Sequence, residues 1–158
     1  MIHSDELMLV ATITKETSMP DPVRLTIQLG TPENRRLIRA RADDGVPAAQ
    51  RVRALVRLWR DEELVRTRID ELARQRREAG RAKAGQARPA GETAKITVLL
   101  ETELNTALWE AKASDGISLA KRVGAGLELW STDAPFAEQV NVMAAAAHAA
   151  QRAKRTAA

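Results

Sequence analysis

The side chains best placed for chemistry in this chain are set out for hydrogen bonding rather than for catalysis. Arg24, Thr26 and Gln28 alternate with Leu25, Ile27 and Leu29, and Lys95, Thr97 and Leu99 alternate with Ile96, Val98 and Leu100. Period-two alternation rich in Thr, Ile and Val is the mark of a half-buried strand, so each run holds its polar members out on one face. Reactive groups are scarce by comparison. Cysteine is absent, which excludes disulfides, thiolate metal sites and cysteine nucleophiles. His3 and His148 are the only imidazoles, too few for a histidine zinc site or a serine–histidine triad. The carboxylates are scattered on amphipathic helices, and no glycine-rich phosphate loop is present; an enzyme, a cofactor or a metal centre is therefore not expected. The aromatics are Trp59, Trp109, Trp130 and Phe136, which argues against a stacking platform for single-stranded nucleic acid.

The elements that must position those two runs are themselves duplicated. Laid over itself at an offset of 71, residues 23–62 match residues 94–133 without a gap, and 15 of the 40 aligned positions are identical. Rare residues carry the match: Trp59 falls on Trp130, Asn34 on Asn105, Asp44-Gly45 on Asp115-Gly116, and Thr26 and Thr31 on Thr97 and Thr102. The same offset carries Val65, Ile69 and Leu72 onto Phe136, Val140 and Met143. The organisation read from this is an N-terminal arm (1–22), a first repeat with an extra helix (23–77), a basic flexible linker (78–93), a second repeat with an extra helix (94–150) and a basic tail (151–158). Within the arm, residues 7–13 alternate loosely and read as an extra strand or a disordered tail.

Each unit reads as strand, helix, helix and a further helix. Thr31 and Thr102 sit where an N-cap belongs, with Pro32 at the first helical position. Leu37, Ile38 and Ala42, or Leu108, Trp109 and Ala113, give the first helix an apolar stripe that Gly45 or Gly116 ends. Ser118 caps the next helix, where the first copy has Pro47. Its core face is Val52, Leu55, Val56 and Trp59, or Val123, Leu127 and Trp130. Asp61 or Asp133 caps the third helix, whose apolar line is Val65, Ile69 and Leu72, or Phe136, Val140 and Met143. A lone strand has no ladder partner, so the two units are expected to pair their strands antiparallel and interlock their helices.

This order and spacing resembles the ribbon–helix–helix family of DNA-binding proteins, the Arc and MetJ type, twice in register over 23–60 and 94–131. The resemblance implies a mainly α fold with a two-stranded antiparallel β-ribbon, built as a tandem pseudo-dimer like the single-chain versions in plasmid-transfer systems. It implies that the ribbon enters the major groove, with Arg24, Thr26, Gln28, Lys95, Thr97 and Leu99 facing base edges. Arginine or lysine suits guanine and glutamine suits adenine, while Leu99 departs from the pattern and offers only a methyl contact. It also implies phosphate binding at the start of the second helix of each unit, through Val46, Ala48, Gln50 and Arg51 and through Ser118, Leu119, Lys121 and Arg122. Pro47 removes one N–H there, and Arg51 and Arg122 either hold phosphate or are solvated helix surface.

The expected function is sequence-specific binding of double-stranded DNA, as a transcriptional repressor or as a plasmid transfer or partition accessory factor. The alternative is an antitoxin-like or scaffolding protein that docks a partner on the alanine-rich helix 136–150. Residues 23–62 hold nine basic and five acidic residues, net +4, against four and six, net −2, in 94–133, so an operator with unequal halves is expected. A second copy on adjacent DNA, and a protein bound through the arm or third helices, are further partners the layout allows. No apolar run approaches the roughly 18 residues of a membrane span. Asp5 and Glu6 stand where a signal peptide would be positive, so a cytoplasmic, nucleoid-associated protein is expected.

Overall fold

The computed structural model describes residues 23–82 and 93–157. Both alternating runs form strands, β1 (Val23–Gly30) and β2 (Thr93–Leu100), which pair antiparallel. Helices α1 (Thr31–Asp44), α2 (Ala48–Asp61) and α3 (Glu63–Ala82) follow β1; α4 (Thr102–Asp115), α5 (Leu119–Thr132) and α6 (Ala134–Ala157) follow β2. The described residues are thus mainly helical, with one two-stranded antiparallel sheet. Each helix of the second set begins 71 residues after its counterpart in the first. Residues 7–13 and the middle of the stretch read as linker lie outside the described residues.

Local chemistry sets the helix ends. Gly45 and Gly116 each take φ of 76°, a left-handed conformation glycine adopts without strain, and donate to Arg41 O and Lys112 O at 2.7 Å. Ser118 accepts from Lys121 N at 3.2 Å and Asp133 from Phe136 N at 3.0 Å, so both act as the N-caps their types suggest. Thr31 and Thr102 do not. They are the first helical residues, and the extended positions before them are Gly30 and Glu101, without a side-chain cap bond. Pro32 is accordingly the second residue of α1. Asp61 closes α2 and pairs with Arg60, and Glu62 occupies the place that Asp133 holds in the second set.

Two boundaries also move. α3 runs to Ala82, beyond the expected start of the linker at 78, and α6 continues through the expected tail to Ala157. Alanine-rich sequence sustains the second extension, with Lys154 and Arg155 placed in the last turn where they complement the helix dipole.

The core lies between the underside of the ribbon and the crossed helices. Ile27 and Leu29 of β1 and Val98 and Leu100 of β2 are buried against α2 and α5. α2 packs most extensively on α6, and α3 on α5, so the helices of each half lie on those of the other. Phe136, Val140 and Ala144 of α6 are consequently buried, as are Val65, Ile69 and Ala73 of α3. Where α2 crosses α5, Leu55 covers Gly126 so closely that a Cβ on Gly126 would lie 2.4 Å from Leu55 Cδ2. The stripes of α1 and α4 are narrower than the apolar residues imply. Leu37 and Leu108 are buried, but Ile38 is 62% and Trp109 51% exposed, because these helices contact the core along one edge only.

Candidate nucleic-acid interface

The outward face of the ribbon carries all six of the alternating residues. Arg24 stands opposite Leu99, Thr26 opposite Thr97, and Gln28 opposite Lys95. All six are exposed, while the intervening apolar residues turn inward. At the centre Thr26 Oγ1 and Thr97 Oγ1 lie 3.2 Å apart, one hydroxyl donating to the other. The two central threonines are 71 residues apart, the same offset that relates the helices. Arg24 and Lys95 therefore sit at diagonal corners on either side of the threonine pair. The side chains of Arg24, Gln28 and Lys95 have no hydrogen-bond or ion-pair partner among the described residues, so their polar groups are available to a ligand, while Leu99 offers an apolar one.

α2 braces this face from below. Arg53 Nε donates to Leu99 O at 2.7 Å, fixing the end of β2, and Arg57 pairs with Glu101 just beyond it. Burial and the neighbouring Arg57 lower the pKa of Arg53 despite the opposing pull of Glu101. Arg60 pairs with Asp61 and reaches Glu103 of α4 at 3.6 Å. The arginines of α2 are thus engaged within the protein. Those of α1 differ: Arg35, Arg36, Arg39 and Arg41 are exposed and have no ion pair among the described residues. The corresponding positions of α4 are Thr106, Ala107, Glu110 and Lys112, with Lys112 lying over the Trp109 ring at 4.6 Å.

The expected phosphate sites at the starts of α2 and α5 need correction. Arg51 and Arg122 are only 1% exposed and hold the two halves together. Arg51 donates to Val46 O at 2.7 Å and Asn141 Oδ1 at 3.1 Å, and pairs with Asp44. Arg122 donates to both Asp115 oxygens at 2.7 Å, pairs with Asp70, and lies over Trp59 at 5.6 Å. The indoles complete the joint: Trp59 Nε1 donates to Asp70 Oδ1 at 2.8 Å and Trp130 Nε1 to Asn141 Oδ1 at 3.0 Å. A guanidinium so enclosed cannot reach a phosphate.

The backbone N–H of Val46 is likewise taken, by Asp44 Oδ1 at 2.9 Å, and that of Ile117 by Asp115 Oδ1 at 2.9 Å. Burial pushes the Asp115 carboxyl up, but bonds from Arg122 and the Ile117 amide outweigh it and hold its pKa below the usual range. Gln50 is buried at 6% exposure and donates to Gln151 Oε1 at 2.6 Å, so its side chain faces α6. Leu119 is buried too, and Lys121 N serves the Ser118 cap. What the helix starts retain are first-turn amides, those of Ala48 and Ala49 and of Leu119 and Ala120, which have no acceptor within the helix. The exposed Lys121 side chain adds a cation beside the second pair.

Sequence reasoning missed the joint made by Asp44, Asp70, Asp115 and Asn141. Its signal lay in the repeat, because Asp70 and Asn141 are themselves 71 apart, outside the 40-residue match. An open groove lies elsewhere, where Arg36 faces Trp130, Ser131 and Thr132 of α5 and Ala137, Glu138 and Asn141 of α6. Among the described residues no helix is long and apolar enough to cross a membrane. No protein-family model, no curated protein and no solved structure matches this chain.

Proposed function

We propose that the chain is a single-chain ribbon–helix–helix pseudo-dimer that binds double-stranded DNA sequence-specifically by laying its β-ribbon in the major groove. The observation that carries the reading is the ribbon register. The sequence repeat pairs Thr26 with Thr97, and the same two residues face each other at the centre of the ribbon. The proposed two-fold relation between the halves would pass through the middle of an exposed hydrogen-bonding surface, which suits a surface that reads two half-sites. A two-stranded ribbon fits the major groove, and arginine, lysine, threonine and glutamine are the side chains that read base edges there. First-turn amides of α2 and α5 supply phosphate contacts that set orientation.

Such a protein acts as a transcriptional repressor or as an accessory factor in plasmid transfer or partition. The protein-docking alternative is the less favoured reading, since Phe136 and Val140 of the α6 apolar line are buried in the core and Met143 is half-buried, which leaves Val142 as the large exposed apolar residue of that helix. The uneven charge favours an operator with unequal halves: the unpaired arginines of α1 have no equal on α4.

A gel-shift series with genomic fragments at increasing salt tests the reading. Specific retention that falls steeply with salt is expected, because neutralised phosphates release counterions. The triple variant Arg24→Ala, Thr26→Ala, Lys95→Ala should lose sequence preference while keeping the melting temperature, since all three side chains are exposed. A triple variant that binds as well as the parent chain refutes the ribbon-in-groove mechanism.

A further inference from the structure

One outward position of the ribbon does not suit a general polar surface. Leu99 is 40% exposed on a face where each other member, from Arg24 to Thr97, can hydrogen-bond. It stands directly opposite Arg24, and side chains so paired keep their Cβ atoms about 4.5–5.5 Å apart. Successive bases of a strand are about 3.4 Å apart along the duplex axis, so tips this close have the reach to engage neighbouring base edges. Leu99 is also held in place: Arg53 binds its carbonyl oxygen at 2.7 Å, and the position corresponding to Arg53 in the second half is Gly124.

We propose that Arg24 and Leu99 together read a 5-methylpyrimidine–guanine step in one half of the site. This rests on the DNA reading above and names the base step it selects. The guanidinium fork of Arg24 suits the O6 and N7 acceptors of guanine. Leu99 packs on the methyl at C5 of the adjacent pyrimidine, the one apolar group a base presents in the major groove. Against a base edge rich in hydrogen-bonding groups, leucine would strip away water and return no bond, so it rejects such edges as well as favouring the methyl. The corresponding residue on the other strand is Gln28, opposite Lys95. Its amide suits adenine, so the two halves of the ribbon ask for different bases at equivalent places. Thymine and 5-methylcytosine both carry the methyl.

The test first selects the preferred duplex from a random pool with the full-length chain. The selected pyrimidine is then replaced in turn by thymine, deoxyuracil, cytosine and 5-methylcytosine, with affinity measured at fixed salt. Thymine should bind about four-fold more tightly than deoxyuracil, the worth of one methyl removed from water. In Leu99→Ala and Leu99→Gln variants that difference should vanish, with melting temperature unchanged. Tighter binding of 5-methylcytosine than of cytosine would extend the methyl reading to modified DNA; equal binding of those two would assign it to thymine. Equal binding of thymine and deoxyuracil by the parent chain, or a methyl preference that survives in Leu99→Ala, overturns the inference. Failure to retain any duplex overturns the DNA reading itself.

Discussion

The crossing of α2 and α5 offers a sharp test of how the halves fit, through a pair of substitutions whose effects depend on each other. Leu55 and Gly126 meet at the crossing, and Leu55 is 1% exposed. A methyl on Gly126 would lie 2.4 Å from Leu55 Cδ2 and 3.1 Å from Cγ, so Gly126→Ala forces Leu55 or the helix to shift. Overpacking of this kind costs about 1–3 kcal/mol. Replacing glycine by alanine inside a helix returns about 1 kcal/mol, which leaves a net loss of roughly 0–2 kcal/mol. Leu55→Ala alone empties the crossing and should lose about 2–5 kcal/mol.

In the Leu55→Ala background the conflict is gone, and Gly126→Ala should become stabilising by about 1 kcal/mol or more. The expected signature is therefore a change of sign, with a coupling of about 1–3 kcal/mol between the two sites. Urea unfolding of the four proteins of the cycle measures it. A Gly126→Ala variant more stable than the parent chain, or effects that add within about 0.5 kcal/mol, would refute the close fit.

Removing the buried cation by Arg122→Met should cost about 3 kcal/mol in urea unfolding, the low end for a broken buried pair, because Asp70 and Asp115 are 34% and 36% exposed. The folded state holds the Asp115 pKa down, so its contribution is present above the unfolded value near 3.9 and is lost as pH falls through the lower folded value. Unfolding followed from pH 6 to about pH 2 should show that acid loss, and Arg122→Met should flatten it. Arg66 caps α2 by donating to Trp59 O at 3.1 Å and Arg60 O at 2.7 Å, whereas the corresponding residue beside α5 is Ala137. Ala137→Arg should fill the groove there and raise the melting temperature by about 2–4 °C, the equivalent of about 1 kcal/mol; no rise would mean that the carbonyls of Trp130 and Ser131 are well served by solvent. Ser118→Ala should lose about 1 kcal/mol by calorimetry, with an unchanged value ruling out a working cap.

Much of the ribbon was legible in the sequence because strand periodicity is local. Alternation at 23–29 and 95–100 separated outward from inward side chains correctly, and the offset of 71 anticipated which threonines would meet. Gly45, Gly116, Ser118 and Asp133 were equally legible, since each satisfies a helix end by its own geometry. Arg51 and Arg122 were not. Their environment is made by Asp70 and Asn141 from the opposite half, and a polar residue on a helix gives no local sign that a distant carboxylate or amide will enclose it. Ile38 and Trp109 misled for the converse reason: adjacent apolar residues suggest a broad core face, but α1 and α4 lie at the margin of the core. The misplaced caps at Thr31 and Thr102 are a one-residue difference that residue preference alone does not resolve.

The differences between the halves follow a pattern that bears on the proposed function. Most positions that build the joint are kept, Asp44 and Asp115, Arg51 and Arg122, Trp59 and Trp130, while Asp70 is matched by Asn141. Counterparts that touch each other are kept at the ribbon centre, where Thr26 meets Thr97, but have diverged as complements at the helix crossing. Two leucines at the α2–α5 crossing would overlap, and two glycines would leave a void, whereas Leu55 and Gly126 fill the space once. That solution is open only to halves that always meet each other and never a copy of themselves, as the proposed covalent tandem would provide. The outward ribbon shows the same freedom, with Gln28 on one strand and Leu99 at the corresponding place on the other. On the DNA reading, an inverted repeat would present the same base to both residues, satisfying one and mismatching the other. The same asymmetry that suits the core to a single chain therefore argues for a target without perfect two-fold symmetry.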